Sequence, residues 1–312
     1  MRTNRKFLSI MLAVAMVLVM VPIEAFAINM AGGITSVEES TNKSITYTVS
    51  DDGLTLTFRG SGKIGTDVIQ ALWTDAGVPL GNIENVVIGE EITALSGYSD
   101  SRSFLYSKQK VSITIQGQGS FRFENSACKN LEVSLTANNR DSIEIGNSAF
   151  ANATVNEFPI DKITKVESSG LSRVKLPVEG TTLSLNLKGT ADTELCMGSS
   201  ALSYSKNCDG NAFTTLDLTV SGNVNLGNPA ASGSNIFGDK FTSASIHLED
   251  GAQLILNTGF GGNVKLETLT FTGSGTVYFQ PPNTDYLKGN CLHKAVKLKT
   301  IDFSGFRDRK ST

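Results

Sequence analysis

Few residues of this chain could carry out catalysis. It contains two histidines, His247 and His293, and any Ser-His-Asp or Cys-His arrangement would have to use one of them. His247 stands between Ile246 and Leu248 in an alternating segment, so we expect it to project outward from a strand. His293 lies two residues after Cys291, a spacing that is common on one face of any strand. No nucleophile-elbow, phosphate-loop, dinucleotide or H-E-x-x-H motif occurs and no Cys/His spacing fits zinc, so we predict no catalytic residue, metal or cofactor.

Acidic side chains on the predicted central strands leave one enzymatic alternative open. A β-solenoid that cleaves polysaccharide needs paired carboxylates, or carboxylates with bound calcium, on neighbouring coils. The available acids are Glu132, Asp217, Glu249 and Asp250. They occur at different offsets within their segments, which favours a solvated strand face over an active site.

Small polar groups that can form hydrogen bonds recur along the chain at outward strand positions. They are Ser112, Thr114, Glu132, Ser134, Ser184, Asn186, Asp217, Thr219, Ser245, His247, Thr270 and Thr272. Stacked together, they would form a broad surface for a glycan or an extended polypeptide, bound through many weak contacts. Ser and Thr are also ordinary exposed strand residues, so a surface without a ligand stays an alternative. Aromatic side chains that would stack on sugars are missing from these positions, which favours a protein partner.

Strands must position these residues, because the polar positions alternate with aliphatic ones. VSITIQG from Val111, LSLNLKG from Leu183 and LDLTVSG from Leu216 each place apolar residues on one face. A second apolar phrase occurs as FRFENSAC from Phe121 and IEIGNSAF from Ile143. Its copies recur roughly every 20 to 32 residues, the period of a solenoid whose units bury their apolar faces against each other.

Each repeat is therefore predicted to be a strand, a tight corner, a second strand and a short loop or single helical turn. Its inward residues should form two interior columns. The first column is Ile113, Val133, Leu185, Leu218, Ile246 and Leu269, and the second is Ile145, Met197, Leu226, Leu256 and Phe279. A chain of antiparallel hairpins is the competing arrangement, because Asp-Gly corners also serve hairpins. Similar residues at similar offsets favour stacked coils.

The beginning of the chain differs from the repeats. Residues 1–27 combine a positive start, an apolar run of 15 residues from Phe7 to Val21 and an Ala25-Phe26-Ala27 cleavage pattern, which together predict a signal peptide. That run is short for a membrane span of about 20 residues, and an uncleaved anchor is the alternative. We expect residues 28–43 to be a flexible leader. Residues 44–82 should form a β-hairpin cap around Asp51-Asp52-Gly53, followed by a solenoid over 83–312.

Charge and cysteine content limit the classes of partner. Loss of residues 1–27 removes three cations and one acid, which changes the formal charge from −3 to −5 and argues against nucleic-acid binding. The four cysteines do not form a spaced disulfide framework, and whether Cys196 pairs with Cys208 stays open. We expect an exported monomer with no membrane span after cleavage.

IEIGNSAF and NVVIGEEITAL resemble the V-T-x-I-G-x-x-A-F phrase of bacterial surface proteins with leucine-rich repeats of the BspA type. YTVSDDGLTLTFRGSGKI, followed by Trp73, is similar to the segment that often precedes those repeats. The likeness covers residues 45–305 and is strongest over 45–95 and 121–150. It implies a mainly β, leucine-rich-repeat-like β-solenoid of about eight irregular repeats with a hairpin cap. It also implies adhesion to a host or extracellular-matrix protein or glycan, usually without catalysis.

Overall fold

The computed structural model describes residues 35–39, 43–189, 195–227, 236–238, 240–256, 260, 263–279, 292 and 295–308. Its strands in chain order are β1 (Thr35–Glu39), β2 (Lys43–Val49), β3 (Thr55–Gly60), β4 (Gly62–Ile64), β5 (Asn85–Ile88), β6 (Ile92–Leu95), β7 (Lys110–Ile115), β8 (Ser120–Phe123), β9 (Glu132–Thr136), β10 (Ser142–Ile145), β11 (Thr154–Glu157), β12 (Ile163–Val166), β13 (Thr182–Lys188), β14 (Leu195–Met197), β15 (Thr215–Ser221), β16 (Asn223–Leu226), β17 (Ser243–Ile255), β18 (Thr268–Tyr278) and β19 (Thr300–Asp308). Helix α1 spans Thr66–Thr74, and two 3-10 turns, η1 and η2, span Leu80–Asn82 and Ile160–Lys162.

Parallel pairing between successive coils builds three ladders, which make the fold a mainly β, leucine-rich-repeat-like solenoid. The first ladder is the sheet with the order β1-β2-β3-β5-β7-β9-β11. The second runs through β4, β6, β8, β10, β12, β14 and β16 into the C-terminal halves of β17 and β18. The third starts at β13 and runs through β15 into the N-terminal halves of β17, β18 and β19. Among the described strands only the β1–β2 and β2–β3 pairs are antiparallel, so stacked coils are confirmed.

The second interior column has the register that the sequence predicts. Ile145 lies opposite Val166, Val166 opposite Met197, and Met197 opposite Leu226. These side chains are at most 3% exposed, and burying an aliphatic side chain fully is worth about 1.5–3 kcal/mol. Stacking therefore stabilises each coil through its neighbours.

The first interior column is confirmed only from Leu185 through Leu218 to Ile246. The rest of that prediction is wrong, and Ile246 lies opposite Phe271 rather than Leu269. Ile113 lies opposite Leu135 rather than Val133, and β11 does not pair with β13. In the coil before β13 the 3-10 turn η2 packs against β13, so no strand precedes β13 in its ladder. The first ladder continues instead as single bridges from Thr154 to Lys175 and from Lys175 to Lys206.

The recurring phrase forms a corner in which two residues, four apart, have left-handed backbone. In the IEIGNSAF coil these are Ser148 (φ 55°) and Asn152 (φ 58°). Between them the N–H of Phe150 donates to the carbonyl oxygen of Gly170 in the next coil, at 2.9 Å. Three other corners have the same pair of left-handed residues, at 126 and 130, 169 and 173, and 200 and 204. At each described corner the N–H groups that link coils donate to the coil that follows in sequence.

The N-terminal end carries the predicted hairpin. β2 and β3 pair antiparallel across a turn that contains Gly53 (φ 74°). Tyr47 of β2 donates a hydrogen bond from Oη to Oδ2 of Asp75, which follows α1, at 3.0 Å. β1 falls within residues 28–43, where a flexible leader is expected, and pairs antiparallel with β2.

A buried arginine connects backbone segments of successive coils. Arg140 is 2% exposed, and its guanidinium donates to the carbonyl oxygens of Gln118 (2.7 Å), Ile92 (2.8 Å) and Glu90 (3.1 Å). Its guanidinium carbon lies 5.5 Å from the ring centroid of Phe121. One side chain therefore satisfies carbonyl groups of two preceding coils.

An ion-pair network crosses the outward face of the second ladder. Arg122 contacts Glu144 (2.9 Å) and Glu167 (2.8 Å), and Lys165 contacts Glu167 (3.1 Å). Burial alone would raise the pKa of Glu167, but the hydrogen bonds from Arg122 and Lys165 outweigh it and hold that pKa below its ordinary value. The Glu167 carboxylate is therefore better stabilised in the folded chain than in the unfolded one.

Candidate binding surface

Eight of the predicted binding residues lie in two straight rows on the third ladder. Parallel register on β13, β15, β17 and β18 aligns equivalent outward positions of successive coils. The first row is Ser184, Asp217, Ser245 and Thr270, and the second is Asn186, Thr219, His247 and Thr272. Alternation requires this arrangement, because the residues between them, such as Leu185 and Leu218, are buried. We call these eight residues the two-row face.

A third row, not predicted from the sequence, lies beside the first two. It consists of Thr182, Thr215, Ser243, Thr268 and Thr300. The signal was present, because the same alternation extends two residues toward the start of each strand. The outward positions of four neighbouring strands therefore carry three rows of hydroxyl-rich side chains.

Side chains of the two-row face and of the third row hydrogen-bond to each other across strands. Nδ1 of His247 lies 3.0 Å from Oγ1 of Thr272, and the Ser243 hydroxyl donates to Oγ1 of Thr215 at 3.3 Å. Asp217 is exposed and forms no salt bridge with any described residue. The face therefore presents donors and acceptors with one unneutralised carboxylate.

The other four predicted residues lie on a different sheet. Ser112 and Thr114 are on β7, and Glu132 and Ser134 are on β9, both in the first ladder. Ser112 lies opposite Ser134. Glu132 is engaged locally, since Lys110 lies 3.7 Å away and Asn156 donates to it at 3.0 Å. The single continuous surface expected from sequence is thus two surfaces, because β13 begins a new ladder.

The residues considered for catalysis are dispersed. His247 projects outward, as predicted, with a threonine as its partner. Asp217 has Ser184 and Ser245 as lateral neighbours, and Asp250 accepts a hydrogen bond from Ser274 at 3.0 Å. Among the described residues no group of three or more His, Cys, Asp or Glu side chains is placed to hold a metal ion. His293 and Cys291 lie outside the described residues.

The three described cysteines, Cys128, Cys196 and Cys208, are reduced thiols. Cys128 is fully buried, and this burial raises the pKa of its thiol well above the ordinary value. Cys196 and Cys208 do not form a disulfide with each other. Cys128 therefore packs in the core as a small apolar side chain, and the described cysteines do not cross-link the solenoid.

Within the described part of the chain, no helix is long and apolar enough to cross a membrane.

No family model matches the sequence, and no curated protein is similar to it. Among solved structures, a leucine-rich repeat protein from Eubacterium ventriosum is similar at 13% identity, over 86% of this chain and 85% of that one, with a TM-score of 0.26. The assignment of the fold rests on the stacked ladders and the repeated corner phrase.

Proposed function

We propose that this chain is a secreted or cell-surface repeat protein that binds a macromolecular partner and does not catalyse a reaction. In this proposal the two-row face contacts an extended segment of a host or extracellular-matrix protein. The resemblance to BspA-type surface proteins and the predicted signal peptide over 1–27 support the location.

The observation that carries the proposal is the alignment of eight exposed or half-buried polar residues on four neighbouring strands. Adjacent parallel strands lie about 4.8 Å apart, so the face offers regularly spaced donors and acceptors across its width. Rigid strands hold these groups without a further ordering cost, which favours many weak contacts with an extended chain.

A polypeptide suits this face better than a glycan does. Outward positions of β13, β15, β17 and β18 up to residue 272 carry hydroxyl, amide, imidazole and charged groups but no Phe, Tyr or Trp ring. Sugar recognition ordinarily uses such a ring as an apolar platform, whereas peptide groups need only donors and acceptors.

The test is a binding array of matrix proteins and glycans, probed with purified residues 28–312. We expect a protein hit that Ser245→Arg, at the centre of the two-row face, weakens at least tenfold. The matched control is Ser112→Arg, which adds the same charge to an outward serine of the first ladder and should leave binding unchanged. Equal loss in both variants would reject the face, and cleavage of an arrayed polysaccharide would replace the proposal by the enzymatic alternative.

A further inference from the structure

Three aromatic rings meet near the N-terminal end, away from the two-row face. Trp73 of α1 has its ring centroid 4.7 Å from that of Tyr98 and 4.7 Å from that of Tyr106. Tyr106 is 45% exposed, an unusual state for a large ring in the folded chain. The guanidinium of Arg102 lies 5.8 Å from the ring centroid of Tyr98.

A cavity of about 280 Å³ opens beside this cluster. Its wall combines the apolar surfaces of Trp73 and Leu105 with the polar side chains of Ser101, Arg102, Ser107 and Asn130. A small concave site that is mostly apolar and has a few convergent polar groups is typical of a ligand-binding pocket.

The wall is held in place before any ligand arrives. The indole Nε1 of Trp73 donates to the carbonyl oxygen of Phe104 at 2.8 Å. This bond fixes the Trp73 ring against the loop between β6 and β7. Phe104 donates its own N–H to Ala127 at 3.0 Å, and Lys108 donates to Asn130 at 2.8 Å. Both ends of the loop are therefore tied to the next coil, and binding would cost little ordering.

The polar groups of the pocket are available. The side chains of Arg102, Ser107 and Asn130 form no hydrogen bond or ion pair with any described residue. Serine and asparagine can both donate and accept, and arginine donates through a planar fork that fits a carboxylate. The arginine also disfavours the cationic ligand that a group of aromatic rings would otherwise attract.

We propose that this pocket binds a carbohydrate residue that carries a carboxylate, such as a uronic acid. The apolar face of the sugar ring packs against Trp73 and Leu105, its hydroxyls bond to Ser107 and Asn130, and its carboxylate binds Arg102. This site is separate from the two-row face and adds a glycan specificity that the proposed function does not contain.

The only tryptophan of the chain lies in this wall, so its fluorescence reports on the pocket directly. We expect titration with oligogalacturonate to give a saturable change in the emission of Trp73. A neutral oligogalactose of equal length should bind at least tenfold more weakly. Absence of a saturable change, or equal affinity for the two sugars, would overturn the proposal.

Variants separate the pocket from general effects. Arg102→Gln should weaken oligogalacturonate binding at least tenfold. Tyr106→Ala should do the same, because the Tyr106 ring packs against the Trp73 ring of the wall. The matched controls are Tyr204→Ala and Arg173→Gln, because Tyr204 is 46% exposed and Arg173 lies 5.8 Å from its ring centroid.

Controls that lose as much binding as the pocket variants would refute the assignment. Circular dichroism checks that each variant is folded, and Arg102→Gln keeps the test decisive if Tyr106→Ala unfolds. Ser245→Arg should leave this binding intact, so failure here and failure of the proposed function are distinguishable.

Discussion

The corner between the third and second ladders depends on a glycine that lies against the preceding coil. Gly273 of β18 has φ 84°, and a Cβ placed on it would overlap the carbonyl oxygen of Leu248 and lie 2.9 Å from Cε1 of His247. Gly251 of β17 has a similar φ of 76°, but a Cβ there would meet nothing within 4 Å. The two glycines therefore share the same backbone requirement and differ in the space around them.

The expected cost of each alanine follows from this difference. In Gly251→Ala the left-handed backbone costs about 1–2 kcal/mol, offset by about 0.4–1 kcal/mol from the reduced entropy of the unfolded chain. Gly273→Ala has the same two contributions and must also move β18 about 1 Å away from β17, against a normal strand spacing of about 4.8 Å. Overpacking costs about 1–3 kcal/mol and each weakened ladder hydrogen bond about 1 kcal/mol. We therefore expect Gly273→Ala to lose about 2–4 kcal/mol more than Gly251→Ala.

Urea unfolding followed by far-UV circular dichroism measures this difference in the free energy of unfolding. Hydrogen exchange should also show faster exchange at Leu248 and its neighbours in Gly273→Ala only. Equal losses of unfolding free energy in the two variants would mean that position 273 requires glycine for its backbone conformation and not for close stacking. That result would refute the reasoning.

Three further substitutions test the packing and the charges. Arg140→Met should lower the free energy of unfolding by about 3 kcal/mol, because one buried and two part-buried carbonyl groups lose a charged donor. The exposed Arg59→Met should stay within about 0.5 kcal/mol of the parent in the same urea titration. Leu218→Asp places a carboxylate in the interior and should unfold at least its own coils, seen as lost β signal in circular dichroism, while Thr219→Asp next to it should remain folded. Because the pKa of Glu167 is lowered in the folded state, its stabilising effect is complete above the ordinary value of 4.5 and is lost as pH falls through the lower, folded value. Glu167→Gln should therefore lose less stability than the parent on acidification, and an unchanged acid dependence of unfolding would contradict this.

Alternation and repetition in the sequence were sufficient to predict most of the fold. Period-two segments such as the one from Leu183 identify strands and their buried faces, since a strand has only two faces. The phrase from Ile143 identifies the corners, because four corners share the same pair of left-handed residues and hydrogen bonds to the next coil. Eight of the twelve predicted surface residues accordingly share one face.

The features that were not predicted depend on which strands and side chains meet, and alternation does not encode these partners. Val133 and Leu185 have equivalent positions in similar strands, yet they belong to different ladders because the chain between them forms the 3-10 turn η2 in the coil before β13. The aromatic pocket was missed for a related reason. Trp73 and Tyr106 are distant in sequence, and only the packing of α1 against the loop brings their rings together. A buried arginine such as Arg140 likewise resembles any surface cation until its backbone acceptors are known.

The corner hydrogen bonds also have an electrical consequence. In each corner the linking N–H groups point toward the following coil and the accepting carbonyl groups point back toward the preceding one, from Ser126 through Leu202. Peptide dipoles aligned head to tail add together, as they do along an α-helix. The column of corners therefore forms a macrodipole parallel to the solenoid axis, with its positive pole toward the C-terminal coils.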